Sequence, residues 1–128
     1  MKGWTKRLII FIVLAAVILP FANRGVRYYQ YQQRVEGISI QDIDLSKVED
    51  GIYTGVYDVG LVRAEVTVMV LDETIRDIQL VHDHDRGQRA ETIIFDVLEA
   101  QSLDVDTVTG ATDSSRVILK AIEVALSE

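Results

Sequence analysis

An uninterrupted apolar run close to the start of the chain limits its possible folds more than any other feature. Residues 8–22 carry no charge. The segment before the run is basic and contains Lys2, Lys6 and Arg7. By length the run suits the core of a secretory signal peptide, since a membrane-spanning helix usually needs about 20 residues. Cleavage is disfavoured, because Pro20 would occupy the −3 position of a cut after Ala22. We therefore expect an uncleaved signal anchor, with a cleaved signal peptide as the alternative.

A buried core helix is a weaker interpretation of the run, because its apolar residues show no amphipathic pattern and a basic start is typical of targeting signals. Charge does not set the orientation of the span, since three basic residues precede it and three follow it. We divide the chain into a transmembrane segment (residues 1–24), a connector without catalytic signal (residues 25–49) and a domain (residues 50–128).

The charge is distributed unevenly along the chain. Residues 1–36 contain six Lys or Arg and one Glu, whereas residues 37–128 contain seven Lys or Arg and nineteen Asp or Glu. Residues 37–128 therefore carry a net charge of −12, which argues against nucleic-acid binding, because that requires positive charge opposite phosphates. The chain has no Cys, which excludes a disulfide framework, a thiolate metal site and a lipid anchor on cysteine.

The domain has the pattern of an α+β fold. Strands are predicted at residues 51–57, 64–71 and 75–82, an amphipathic helix within 86–101, a short extended strand at 105–108, and a final helix. Short turns between the strands imply a small antiparallel sheet, and the two later helices should pack on its valine face. Gly55, between Tyr53 and Tyr57, indicates either close approach of a ligand or another backbone, or else a bulge or a simple strand glycine.

Residues 106–112, Asp-Thr-Val-Thr-Gly-Ala-Thr, form a predicted tight turn that opens directly onto the final helix. Gly110 would supply backbone freedom and close approach. The helix is predicted from apolar residues at the i, i+3, i+4, i+7 spacing, namely Ile118, Ala121, Ile122 and Ala125. Asp113, Ser114 and Ser115 are capping residue types, and we predict that they cap this helix and donate to the phosphate. Because a helix N-terminus carries free N–H groups and a partial positive charge, this turn is suited to a phosphate.

The sequence Asp-x-x-Thr-Gly-Ala-Thr resembles the flavinylation motif of FMN-binding domains, which occur in subunits of the sodium-pumping NADH:quinone oxidoreductase and the related Rnf complex, and in small membrane-attached proteins. Residues 50–55 resemble the opening strand of that family, and residues 99–104 its segment before the motif. The family usually has Gly near Glu73 in the second hairpin. With Glu in that region we expect another turn type.

The resemblance implies that FMN is the cofactor and that Thr112 is joined to the FMN phosphate by a phosphoester, which a dedicated flavin transferase makes outside the cytoplasm. An ordinary N-cap is the simpler interpretation of Thr112 taken alone. The predicted cofactor-binding residues around the motif are Asp106, Thr109, Gly110, Ala111, Thr112, Ser114 and Ser115.

His82 and His84 are further candidates, because they would share one face of the third strand. We predict that they line the flavin site, with a solvated strand end as the alternative. A metal site built from residues 82–85 is weakly supported, because alternating side chains point to opposite faces and the sequence has no further His.

These features predict a membrane-anchored extracytoplasmic electron carrier. Its expected partners are the flavin transferase and a membrane electron-transfer protein, with a quinone-linked enzyme as one candidate. No Gly-x-Gly-x-x-Gly fingerprint is present, so NADH binding by this chain is not expected. The alternatives are a non-covalent FMN-binding sensor or assembly module, and a structural anchor protein without flavin.

Overall fold

The computed structural model describes residues 2–83 and 88–127, which divide into two compact units at residues 33 and 34. Helix α1 (Lys2–Glu36) has 35 residues, or about 50 Å at 1.5 Å per residue, which exceeds the roughly 30 Å of bilayer hydrocarbon. Its large apolar side chains between Leu8 and Leu19 are more than half exposed. By length and composition α1 is a candidate membrane span, and it continues well past the predicted end of the segment at residue 24.

The predicted antiparallel sheet is confirmed. It consists of β1 (Gly51–Asp58), β2 (Arg63–Leu71) and β3 (Thr74–Asp83), in the order β1-β2-β3. Ala64, Val66, Val68 and Val70 are all buried, as expected for alternate positions that share the core face of a strand. The fold class is α+β, as predicted.

A β-bulge interrupts the pairing of β2 with β3. Met69 pairs with Asp77 and Val70 pairs with Ile75, so Arg76 is an extra residue in β3. The bulge explains why Ile75 and Ile78 are both buried although they are three residues apart. The sequence did not indicate this shift.

The predicted first helix of the domain is partly a 3-10 helix. Residues Gln88–Thr92 form the 3-10 segment, and α2 (Ile93–Ala100) follows. The short strand predicted at residues 105–108 is wrong, because these residues have no assigned secondary structure. The N–H of Val108 donates to the Ser115 hydroxyl rather than to a neighbouring strand.

Helix α3 (Thr112–Leu126) packs on β1 and β2, and α2 lies against β3. The four apolar positions predicted for the inner face of α3 are all buried. Gly55 is also buried, because β1 approaches the backbone of α3 at residues 121 and 125. Of the alternatives for Gly55, the structure therefore shows close approach of another backbone.

Gln101 joins α2 to the beginning of β3. Its backbone is left-handed (φ 54°), which ends the helix. The side-chain amide accepts a hydrogen bond from Ile75 N (2.7 Å) and donates to Ile75 O (2.9 Å) and Leu98 O (2.7 Å). This contact fixes the segment that leads into the motif.

Candidate cofactor-attachment site

The motif forms a β-turn immediately before α3. Ala111 N donates to Val108 O (2.9 Å), and Gly110, the third residue of the turn, has φ +80°. This is the arrangement of a type II turn, which favours Gly at that position. A Cβ added to Gly110 would meet no protein atom within 4 Å. The predicted backbone freedom is thus confirmed, whereas close approach within the described chain does not account for the glycine.

Helix α3 begins at Thr112, and its N-cap is Ala111, which offers no side-chain hydrogen bond. The prediction that Asp113, Ser114 and Ser115 cap this helix is wrong. The turn places Ala111 at the non-helical N-cap position, so the three polar residues already lie within the helix. The N–H groups of residues 112–114 have no carbonyl four residues back within the helix, and this leaves them available to an external anion.

The two serines that follow the motif are buried in the first turns of α3, with Ser114 4% exposed and Ser115 fully buried. The Ser115 hydroxyl accepts a hydrogen bond from Val108 N (3.0 Å) and donates to Ala111 O (2.7 Å). It is therefore engaged within the protein. Binding of FMN by Ser114 or Ser115 stays a prediction.

Thr112, Thr109 and Asp106 are exposed. Thr112 differs from Thr109 in its position, because it is the first residue of α3 whereas Thr109 lies in the turn. The hydroxyl of Thr112 thus belongs to the residue nearest the positive end of the helix dipole. Arg116 lies one helical turn further on, at the i+4 position that shares its face.

A groove of about 380 Å³ lies beside the motif. Its lining residues are Ile40, Asp42, Leu103, Asp104, Val105, Thr107, Arg116 and Leu119. Arg116 contributes positive charge to this groove, and two carboxylates contribute negative charge. The groove therefore combines charged and apolar lining residues, and Thr107 is the residue of the motif that lines it.

Asp42 connects residues upstream of the sheet to the segment before the motif. Its carboxylate accepts hydrogen bonds from Leu103 N (2.9 Å) and from the Ser102 hydroxyl (2.8 Å). These bonds hold the pKa of Asp42 below its ordinary value of 3.8, because they stabilise the charged form. The bond from Leu103 N contributes most to this lowering.

His82 lies near the end of β3, opposite Ala64. Its side chain has no exposed surface, and Nδ1 is 3.5 Å from Glu91 Oε1. A protonated His82 would form an ion pair with this carboxylate. His84 lies outside the described residues, and so do Asp85 and Arg86. Among residues 2–83 and 88–127, no group of three or more His, Asp or Glu is placed to hold a metal ion.

A family model, that of the FMN-binding domain, matches residues 60–127. The chain belongs to this family. The match covers more than half of the sequence. It indicates that the cofactor of this chain is FMN. A search of curated proteins found no match. Strand β1 precedes the matched residues, but its pairing with β2 along residues 51–58 makes it part of the same sheet.

The residues of the FMN-binding domain fit the cofactor at the motif. Free first-turn N–H groups suit a phosphate, Thr112 offers an exposed hydroxyl, and the space beside Gly110 is open. Sequence reasoning missed Asp42, Gln101 and the internal bonds of Ser115. The hydrogen bonds of Gln101 with Ile75 and of Asp42 with Leu103 join residues that are 26 and 61 positions apart in the sequence. No local pattern could therefore indicate them.

Proposed function

We propose that this chain is a membrane-anchored extracytoplasmic flavoprotein that carries FMN covalently on Thr112 and transfers electrons. One observation carries the proposal: within the residues matched by the family, Thr112 is an exposed hydroxyl residue that begins a helix without a side-chain cap. A phosphate attached there would gain roughly 0.3–1 kcal/mol from the helix dipole, and more if it is partly buried.

Attachment requires a donor in which the FMN phosphate is activated as a phosphoanhydride, such as a flavin dinucleotide held by the transferase. The Oγ–P bond of Thr112 forms while the phosphoanhydride P–O bond breaks. The nucleoside monophosphate leaves with the electron pair, and the hydroxyl proton passes to a base of the transferase. Exposure of Thr112 supports this step, because a second protein must reach its hydroxyl.

The bound isoalloxazine supplies one- and two-electron redox chemistry, and the protein supplies attachment and electrostatics. A tethered cofactor is not lost by diffusion outside the membrane. We propose a membrane electron-transfer protein as the partner, with a quinone-linked enzyme as one candidate. The net charge of −12 on residues 37–128 favours a partner with a basic docking surface.

Helix α1 supports the anchored form, because it is long and apolar enough to cross a bilayer. An extracytoplasmic transferase requires the acidic domain outside and residue 1 inside. A non-covalent FMN-binding sensor or assembly module is the second candidate, and it needs no acceptor hydroxyl.

The acceptor is tested with Thr112→Ala, co-expressed with a flavin transferase. We expect this variant to lose flavin fluorescence on a denaturing gel and the mass increment of FMN. Thr109→Ala is the matched control, because it removes an exposed hydroxyl from the same turn, and it should keep at least some label. Thr112→Ser keeps the nucleophile and should be labelled in part.

Retention of FMN by Thr112→Ala through denaturation would reject the assignment. Wild-type protein that binds FMN but takes no covalent label from an active transferase would favour the non-covalent module.

The topology is tested by protease added to intact spheroplasts. We expect the domain to be digested while α1 stays with the membrane. Full protection of the domain contradicts an extracytoplasmic location, and a mature N-terminus at Asn23 contradicts the anchor.

A further inference from the structure

Ser115 occupies an unusual position relative to the acceptor turn. It is fully buried, three residues after Thr112, and its hydroxyl is bonded to both ends of the turn. It accepts from the N–H of Val108, the first residue of the turn, and donates to the carbonyl of Ala111, the last. One side chain therefore spans residues 108–111.

The bond to Ala111 alone would not be distinctive. Ser127, at the other end of α3, donates in the same way to the carbonyl four residues back, that of Glu123 (2.6 Å). This type of bond is common for serine in helices. Ser115 differs because its oxygen also accepts from a residue outside the helix.

The hydrogen bonds of the turn form a closed set. Val108 O accepts from Ala111 N (2.9 Å), Val108 N donates to Ser115 Oγ, and Ala111 O accepts from both Ser115 N (3.0 Å) and Ser115 Oγ. The peptide groups at both ends of the turn are therefore satisfied without using the N–H groups of residues 112–114. A hydroxyl is required for this, because it combines one donor with lone pairs that accept.

We propose that Ser115 is a positioning residue, which holds the turn so that Thr112 stands at the helix start for phosphoryl transfer, and that it does not itself bind FMN. The inference rests on Thr112 being the acceptor. A nucleophile held in its reactive geometry avoids the ordering cost at the moment of reaction. Loss of the Ser115 hydroxyl should therefore slow labelling of Thr112 although Ser115 touches neither reacting atom.

The test uses the full-length protein in detergent, purified transferase and a flavin dinucleotide donor, with labelling followed by intact mass. We expect Ser115→Ala to lower the initial rate at least tenfold. Ser115→Thr, which keeps the hydroxyl, should recover most of it. Ser127→Ala is the matched control, because it removes the same helical bond from the far end of α3, and it should be labelled at the wild-type rate.

A second measurement separates positioning from loss of fold. Hydrogen exchange of the Val108 amide should accelerate in Ser115→Ala and return in Ser115→Thr, while amides of β2 stay protected in both. If Ser115→Ala does not fold, Ser115→Cys is used instead, because it fills the same space and replaces the hydroxyl by a thiol, a weaker hydrogen-bond acceptor. It should slow labelling of Thr112 and accelerate exchange of the Val108 amide, each by less than expected for Ser115→Ala.

Labelling of a folded Ser115→Ala variant at the wild-type rate overturns the positioning role and leaves Thr112 as acceptor intact. An unchanged Val108 exchange rate overturns it as well. Wild-type protein without any label rejects the proposed covalent function, and with it the role assigned to Ser115, whereas the exchange data then still decide whether Ser115 holds the turn.

Discussion

At the scale of single residues, Gly55 shows most directly how packing restricts the sequence. A Cβ built at this position would lie 2.8 Å from Ala125 Cβ and 2.5 Å from Ala125 N, and closer still to the Ala121 carbonyl oxygen. We expect Gly55→Ala to destabilise the domain by about 1–3 kcal/mol, because β1 and α3 would have to separate. Urea denaturation monitored by circular dichroism measures the change in the free energy of unfolding.

Gly51 provides the matched control in the same strand. The atoms nearest to a Cβ there belong to the Tyr53 side chain, at 3.7 Å, which is an ordinary van der Waals distance. Gly51→Ala should therefore change stability by no more than about 0.5 kcal/mol. Equal losses from the two substitutions would contradict the packing argument and point to a general requirement for glycine in β1.

At the scale of elements, the hairpin between β2 and β3 contains backbone strain. Its two central residues, Asp72 and Glu73, have φ of 53° and 59°, which is the pattern of a type I′ turn. The expectation of another turn type is therefore wrong, and the chain adopts a glycine-favouring turn without glycine. Because a left-handed backbone costs a residue with a Cβ roughly 1–2 kcal/mol, Glu73→Gly should raise the free energy of unfolding by about 1 kcal/mol.

The control for this prediction is Glu73→Ala. Like Glu73→Gly, it removes the negative charge of Glu73, but it keeps the Cβ. This charge lies next to Asp72, in a groove that Glu49 and Asp50 also line. We expect little or no gain in the melting temperature from Glu73→Ala. A gain equal to that of Glu73→Gly would show that charge relief, rather than backbone conformation, limits the hairpin.

At the scale of the whole molecule, Asp42 couples residues before the sheet to the segment that leads into the motif. Its folded pKa is lowered, so its contribution to stability is present above the ordinary pKa of 3.8 and is lost as the pH falls through the lower folded value. We therefore expect Asp42→Asn to be less stable than wild type at pH 6, and this difference to shrink as the pH approaches 3. Urea denaturation over that pH range measures it, and a difference independent of pH would contradict the linkage.

Local sequence patterns are enough to predict the membrane-compatible helix, the three strands, the inner face of α3 and the flavin motif. Each follows from a local property: an uncharged run, an alternation with period 2, a helical spacing, or a short set of turn residues. These signals survive in a single sequence because the residues that produce them are neighbours along the chain. The fold class and the cofactor can therefore be predicted from these local patterns.

The way in which the motif is held depends on tertiary contacts, which no local pattern indicates. Four features depend on which segments meet in space: the bulge at Arg76, the helix contact at Gly55, the hydrogen bond from Leu103 to Asp42 and the hydrogen bond from Val108 to Ser115. Ser115 shows most clearly what a local sequence pattern cannot predict. Its residue type predicted a cap, but a cap must lie at the non-helical N-cap position. The turn gives that position to Ala111 and directs the buried Ser115 hydroxyl to Val108.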